Sequence, residues 1–267
     1  MSALLVLAIT LLGPWAALQA PQEAPPPSPP RPSEWTAEEK ADPVAAARHQ
    51  IEQRETPGNL ARAIALLQWR KERGPEAAEV EALLAEAHYR TLDGLNPTKK
   101  EDQIRRKLEC ETGLKEAREA VRLAPAQPEG HYWLGCLLLE SADIEQSYSR
   151  LKQAIPELRE GQRLGPKFDE GGPARMLGRV YQETPGWPFL GSRSEAIRWY
   201  AKSLEAAPEA LRTHLWLGQT YAADHQTDRA RQELEKVISA KARPGREVET
   251  REVREEAETL LKSLPPK

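Results

Sequence analysis

Two arginines at helical spacing are the residues of this sequence best suited to binding a charged group. Arg175 and Arg179 lie four residues apart, so in a helix both guanidinium groups face the same side. Together they can clamp a carboxylate. The alternative is an ordinary ion pair, between Arg179 and Glu183 or with a neighbouring helix. The sequence alone leaves both interpretations open.

The five histidines do not form a catalytic or metal-binding pattern. The sequence has no HExxH or paired CxxC motif, no EF-hand loop and no GxSxG motif. The Gly171-Gly172 pair could present helix amides to an anion, but the acidic residues before it favour a simple helix start. We therefore predict no catalytic residue, no metal and no cofactor, and a protein that is not an enzyme.

The two cysteines, Cys110 and Cys136, fall on helices that we expect to touch. Their registers differ by about five residues, or roughly 7 Å along the helix axis. This is the limit of what a disulfide can span. We expect two free thiols, and a Cys110–Cys136 disulfide is the alternative.

The composition predicts a helical protein without a nucleic-acid partner. The chain has 267 residues and a formal net charge of −3, from 38 Lys and Arg against 41 Asp and Glu. This balance provides no basic surface for a phosphate backbone. Only 8 Val and 8 Ile occur, and 6% of the residues are aromatic, whereas strands favour both kinds of residue. A sheet-based enzyme fold is therefore excluded in favour of helices.

Small residues recur along the chain at positions that let paired helices touch. Taking them as position 8 of a first helix and position 20 of a second helix divides the chain into five units. The position-8 residues are Ile51, Ala85, Gly135, Gly178 and Gly218, of which Ile51 replaces the small residue in a degenerate first unit. The position-20 residues are Ala63, Gly113, Ala154, Ala196 and Ala230. Prolines at 75, 125, 166 and 208 separate the units. The pattern resembles the 34-residue tetratricopeptide repeat (TPR).

This resemblance implies an all-α, TPR-like right-handed superhelical solenoid over residues 44–264. We expect about five helix pairs, followed by a C-terminal capping helix with an apolar stripe from Val253 to Leu264. The spacing places all additional length between the two helices of the three middle units. We call these segments, residues 93–103, 141–149 and 184–194, the inserted edge. Insertions that share one edge mark a binding surface or arise from neutral loop growth.

The first 43 residues carry signals of export rather than of folding. Residues 1–20 contain an apolar run that ends in small residues, which predicts a signal peptide, with an uncleaved inner-membrane anchor as the alternative. Residues 21–43 begin with seven prolines in the stretch 21–32. They predict a disordered Pro-rich linker. We therefore expect an exported protein, periplasmic or secreted, whose membrane contact is limited to this N-terminal segment.

TPR geometry also predicts which residues bind a partner. Several positions of each first helix line the concave groove of such solenoids, and aromatic and arginine side chains there are typical of binding hot spots. The inserted turn at 184–194 adds two aromatics, which either pack on the solenoid or meet a partner. The candidate residues are Glu86, Tyr89, Arg90, Tyr132, Arg175, Arg179, Gln182, Trp187 and Phe189.

The segment GGPARMLGRVYQETPGWPFLGSRSEAIRWYAKSLEAAP, residues 171–208, resembles exported bacterial TPR proteins. These include the periplasmic T-component family of TRAP-type transporters, although the lipid-attachment cysteine of many members is missing here. The resemblance implies a non-enzymatic scaffold of the bacterial envelope that binds another protein or peptide, including a transporter component. The alternative is a periplasmic accessory that binds a small molecule, either an organic acid or a hydrophobic ligand, for a transporter.

Overall fold

Twelve α-helices build the part of the chain that the computed structural model describes, residues 32–186 and 189–265. No strand occurs within these residues, so the predicted all-α class is confirmed. The helices are α1 (Ala37–Ala41), α2 (Pro43–Glu52), α3 (Asn59–Arg73), α4 (Ala78–Leu92), α5 (Lys100–Leu123), α6 (Pro128–Ile144), α7 (Tyr148–Leu164), α8 (Gly172–Glu183), α9 (Arg193–Ala206), α10 (Leu211–Ala223), α11 (Thr227–Ser239) and α12 (Glu247–Ser263). None of them is long and apolar enough to cross a bilayer.

The helices from α2 to α11 form five sequential pairs, as the repeat predicts. The most extensive contacts join the two helices of one pair, and each pair then packs on the next. The first pair forms although Ile51 replaces its small residue, and Ile51 is buried. Helix α12 packs on α10 and α11 with Val253 and Ala257 buried, as expected for a capping helix.

Glycines stand where the two helices of a pair approach each other most closely. A Cβ atom added to Gly135 would lie 2.6 Å from the side chain of Leu158, and one added to Gly178 would lie 2.6 Å from the Tyr200 ring. Gly218 makes a similar approach in the last pair. Real Cβ contacts are longer than this, so the crossings depend on the missing side chain.

The additional length of the middle units lies only partly in loops, contrary to the sequence prediction. In the third unit, α6 continues to Ile144 and α7 begins at Tyr148, so residues 141–149 are mostly helical. In the second unit, α5 already begins at Lys100. Residues 93–99 still form a loop between α4 and α5, and the described residues of the third segment before α9, 184–186 and 189–192, lie outside any helix as expected. Lengthening both helices satisfies their backbone hydrogen bonds, which a long loop would leave to solvent.

Residues 21–43 were expected to form a disordered linker, but their described part contains α1 and the start of α2. Thr36 and Glu39 form a capping box at the start of α1, with hydrogen bonds of 2.7 and 3.1 Å. Trp35 is 5% exposed and packs edge-on against Trp69, with ring centroids 5.6 Å apart. Within the described residues no helix pair precedes the first one, and this segment covers it instead. The expected signal peptide lies outside the described residues.

Two histidines at repeat position 4 connect the helices of their pairs. His131 Nδ1 lies 2.7 Å from a carboxylate oxygen of Glu157, and its Nε2 lies 3.0 Å from the carbonyl oxygen of Pro125. His214 and Glu233 repeat the first contact at 2.6 Å. These contacts join the two helices of each pair, so both histidines have a structural role.

In the second unit a lysine and two glutamates take the place of the histidine–glutamate contact. Glu81 occupies position 4 there, and Glu116 occupies the position equivalent to Glu157. Lys71 Nζ lies 2.7 Å from Glu81 and 2.5 Å from Glu116. Burial and the neighbouring Glu116 raise the pKa of Glu81, and the contact with Lys71 opposes this increase.

Candidate functional site

Four of the predicted binding residues meet at one point on the inner face of the solenoid. At this point the inner face is formed by α4, α6 and α8. Glu86 and Arg90 come from α4, Tyr132 comes from α6, and Arg175 comes from α8. Tyr132 and Arg175 stand at repeat position 5, and Glu86 and Arg90 stand at positions 9 and 13. These positions of successive first helices face the same side of the solenoid, so the four residues converge. The residue at the centre of this group is Asp169, which precedes α8.

The carboxylate of Asp169 is held from three sides. Arg90 Nη2 donates to Oδ1 at 2.7 Å, and Arg175 Nη2 donates to Oδ2 at 2.8 Å. The hydroxyl of Tyr132 also donates to Oδ2, at 2.5 Å. Burial by itself would raise the pKa of Asp169, but the two guanidinium groups and the hydroxyl hold this pKa below its usual value. We call these four residues the carboxylate clamp.

The backbone before α8 is bent to bring Asp169 into the clamp. Asp169, Glu170 and Gly171 have φ angles of 44°, 55° and 71°. The left-handed region is costly for the two residues that carry a Cβ. Arg175 Nη1 donates to the carbonyl oxygens of Asp169 and Glu170, both at 3.1 Å, and so holds this turn. Asp169 was not among the predicted site residues; its position next to the glycine pair was the only signal.

Arg90, a member of the carboxylate clamp, also contacts the aromatic rings of Trp133 and Tyr89. Its guanidinium group lies 5.0 Å from the centre of the Trp133 ring and 5.8 Å from that of Tyr89, within the range of cation–π contacts. Its Nε is 3.5 Å from Glu86, whose side chain is 18% exposed. Burial raises the pKa of Glu86 to about 7, and the charge of Arg90 opposes this increase only in part.

Of the two interpretations of Arg175 and Arg179, the structure shows separate ion pairs and not a joint clamp on one carboxylate. Arg179 pairs with Glu183 at 2.8 Å, and its guanidinium group lies 4.8 Å from the centre of the Trp216 ring. Arg175 instead meets Asp169, because the left-handed turn brings this carboxylate back over the start of α8. Gln182 accepts a hydrogen bond from the hydroxyl of Tyr200 at 2.5 Å and thereby joins α8 to α9.

Phe189, the aromatic residue of the inserted turn that the structure describes, packs on the solenoid. The ring of Phe189 meets that of Tyr148 edge-on, with centroids 5.3 Å apart. Leu190 packs against the hydrophobic core. Trp187 lies outside the described residues. Phe189 therefore contributes to packing within this edge.

Ion pairs and hydrogen bonds join the first and last parts of the solenoid. Arg54 Nη2 lies 2.9 Å from Glu249. The carboxylate of Glu55 accepts hydrogen bonds from the backbone N–H groups of Val248 and Glu249, at 2.9 and 2.7 Å. Arg243 pairs with Glu170 of the left-handed turn. These contacts tie the connection between α2 and α3 to the start of α12, and Arg243 to the left-handed turn.

The large apolar side chains with the highest exposure among the described residues lie on α5, the second helix of its pair, and not in the concave groove. Ile104 is 65% exposed and Leu108 is 62% exposed; Val248, at 37%, is the next among the described residues. Both are on residues 100–108, the first turns of α5, which we call the α5 tip. The sequence prediction missed them, although two apolar residues four apart among charges were visible.

Both cysteines are free thiols, as expected, and both are buried. The Sγ of Cys110 lies 3.4 Å from the carbonyl oxygen of Leu137. Burial raises the pKa of Cys110 to about 12 and also raises that of Cys136, so neither thiol reacts readily. No group of three or more potential metal ligands occurs among the residues that the structure describes.

Sequential helix pairs that cross at small residues define the class of this protein, a helical-repeat solenoid of the TPR type. No protein-family model and no curated protein matches the chain. Two crystal structures of MamA are similar to it, each with 18% identity and a TM-score of 0.45. The alignments cover 79% and 85% of this chain and 96% and 100% of the MamA chains. These values carry no functional conclusion.

Proposed function

We propose that this protein is a non-enzymatic scaffold that binds another protein at the α5 tip and the inserted edge beside it. The exposure of Ile104 and Leu108 carries the proposal, since a helix in a solenoid normally buries its large apolar residues. The charged residues of the inner face support it, because they pair with one another. Asp169, for instance, occupies both Arg90 and Arg175.

A binding comparison between two surfaces tests this proposal. Changing Ile104 and Leu108 together to serine removes the apolar pair, while Val248→Ser removes an exposed apolar side chain elsewhere. We expect the double variant to keep its helical circular dichroism spectrum and to lose the proteins that co-purify with the parent chain. Retention of all of them by the double variant would contradict the proposal.

We further propose that the scaffold works outside the cytoplasm, in the bacterial envelope. The apolar run and the proline-rich stretch at the N-terminus support export. Cell fractionation and N-terminal sequencing of the mature chain test this step. A full-length chain in the cytoplasmic fraction would contradict it, whereas a full-length chain in the membrane fraction would indicate the anchor.

One observation favours the alternative function, an accessory that binds organic acids for a transporter. The carboxylate clamp already holds a carboxylate, that of Asp169, with two arginines and a tyrosine hydroxyl. A ligand carboxylate would have to replace it. Asp169→Asn weakens this internal competitor, so the alternative predicts that small organic acids raise the melting temperature of the variant more than that of the parent. The scaffold proposal predicts no such increase in either protein.

A further inference from the structure

The apolar core of the solenoid is divided into two clusters that meet at α4. One cluster extends from Ala85 on α4 to Ala257 on α12. The other is built by residues 35–69 and by one face of α4. The buried residues on this face are Val80, Leu83, Leu84 and Ala87. Since a domain normally has one contiguous core, residues 35–73 form a part of their own, which we call the N-terminal body.

An open cleft lies where the N-terminal body meets α4 and α5. Its volume is about 380 Å³, and it is lined by the end of α3, by residues 75–77 and by side chains of α4 and α5. Lys71 of the N-terminal body reaches Glu81 on α4 at 2.7 Å and Glu116 on α5 at 2.5 Å beside this cleft. On this side the N-terminal body is therefore joined to α5 by charges and not by continuous apolar packing.

The N-terminal body is also joined to α12, by polar contacts. Repeats of a solenoid normally contact only their neighbours. Arg54 nevertheless lies 2.9 Å from Glu249, which follows it by 195 residues. The carboxylate of Glu55 accepts hydrogen bonds from the backbone N–H groups of Val248 and Glu249. Together Arg54, Glu55, Val248 and Glu249 form what we call the end clasp.

Glu249 is the residue on which the end clasp depends. Guanidinium groups of four arginines converge on its carboxylate, those of Arg54 at 2.9 Å, Arg246 at 3.1 Å, and Arg212 and Arg243 at 3.8 Å. These positive charges repel one another, and Glu249 is a counter-charge that all of them share. Arg54 Nη1 and Arg243 Nε are buried there without an acceptor among the described residues. Opening the clasp would return both donors to water.

We propose that the N-terminal body turns as a unit about α4, and that the end clasp is the latch that holds it closed. Helix α4 serves as the axis because its two faces pack on different clusters, so each core stays intact while Arg54 and Glu55 leave α12. Curvature shapes the concave surface of a solenoid, so an open clasp widens this surface between α2 and α12. The inference goes beyond the proposed function and does not depend on the α5 tip.

Distance measurements between spin labels on the full chain, by pulsed electron paramagnetic resonance, test this motion. His49→Cys on α2 and Glu255→Cys on α12 place labels at exposed positions on the two sides of the clasp. Glu205→Cys on α9, paired with Glu255→Cys, reports a distance that does not involve the N-terminal body. The native cysteines are buried and stay unlabelled in the folded chain.

Two clasp substitutions open the latch in this assay. Glu249→Gln leaves the arginines without their shared counter-charge, and Glu55→Ala removes the acceptor at the start of α12. With both changes the α2–α12 distance should increase by about 5 Å or more, while the α9–α12 distance stays constant. The matched control, Glu160→Gln with Glu195→Ala, removes two glutamates that pair with exposed arginines elsewhere. It should leave both distances unchanged.

Two results would overturn the inference. The first is an α2–α12 distance that is the same in the clasp variant and in the parent. The second is loss of hydrogen-exchange protection throughout α2 and α3 in the clasp variant, because the N-terminal body would then unfold instead of turning. Neither result bears on the partners of the α5 tip, which the serine variant of Ile104 and Leu108 tests separately.

Discussion

Replacing Asp169 by asparagine removes the charge at the centre of the carboxylate clamp and keeps the size of the side chain. Asp169 accepts three hydrogen bonds from Arg90, Arg175 and Tyr132, and its side chain is 18% exposed. An asparagine has one acceptor oxygen, and its amide nitrogen must face an arginine donor. Arg175 then loses its carboxylate partner, and Arg90 keeps only the longer contact with Glu86.

The expected loss is about 3 kcal/mol in the free energy of unfolding. A hydrogen bond to a charged group contributes about 1.5–3 kcal/mol, and breaking a buried ion pair costs about 3–5 kcal/mol. The lower end applies because the asparagine side chain keeps one acceptor oxygen and the site retains some contact with solvent. For a chain of this size the melting temperature should fall by roughly 6–12 °C.

Urea unfolding followed by circular dichroism measures this loss, with Glu195→Gln as the matched control. Glu195 also pairs with an arginine, Arg198, but the two side chains are 37% and 72% exposed. Its loss should cost less than about 0.5 kcal/mol. A double-mutant cycle with Arg90→Met should show a coupling energy above about 1 kcal/mol. If Asp169→Asn is as stable as the control, the clamp does not stabilise the fold.

Three further predictions concern pH, packing and the thiols. The pKa of Glu86 is raised to about 7 in the folded chain, so its contribution to stability is complete below about pH 4.5 and is lost as the pH rises through 7. Glu86→Gln should therefore gain stability relative to the parent, by up to roughly 3 kcal/mol, between those pH values in urea titrations, whereas the exposed Glu79→Gln should not. Gly178→Ala places a Cβ against Tyr200 and should lower the free energy of unfolding by about 1–3 kcal/mol, measured in thermal melts. Gly94→Ala is the control, since its Cβ would have its nearest neighbour at 4.0 Å, and it should be tolerated. The two buried thiols should react with a thiol reagent only after unfolding, and fast reaction in the native chain would contradict their burial.

The sequence predicted the helix pairs because their crossings depend on single small residues. Gly135, Gly178 and Gly218 mark the places where no side chain fits, and this requirement is visible in one sequence. The lengths of the connections were harder to predict. Residues 141–149 carry no helix-breaking residue, so spacing alone could not distinguish a loop from two longer helices.

The sequence predicted Arg90, Tyr132 and Arg175 as site residues but not Asp169, the carboxylate that they hold. Arg175 and Arg179 share a helix face, as their spacing requires, yet Arg175 meets Asp169 and Arg179 meets Glu183. The difference arises from the left-handed backbone at 169–171, which the sequence indicates only through one glycine. The exposed Ile104 and Leu108 were missed because repeat geometry directs attention to the concave groove rather than to the end of a second helix.

Site-specific photo-crosslinking tests most directly the claim that partners meet this protein at the α5 tip and not in its groove. A photoreactive phenylalanine analogue is placed at Ile104 in one variant and at Gln219, on the inner face of α10, in another. We predict covalent adducts with protein from the Ile104 position and none from the Gln219 position. Adducts from Gln219 with none from Ile104 would contradict the account and return the partner to the concave groove.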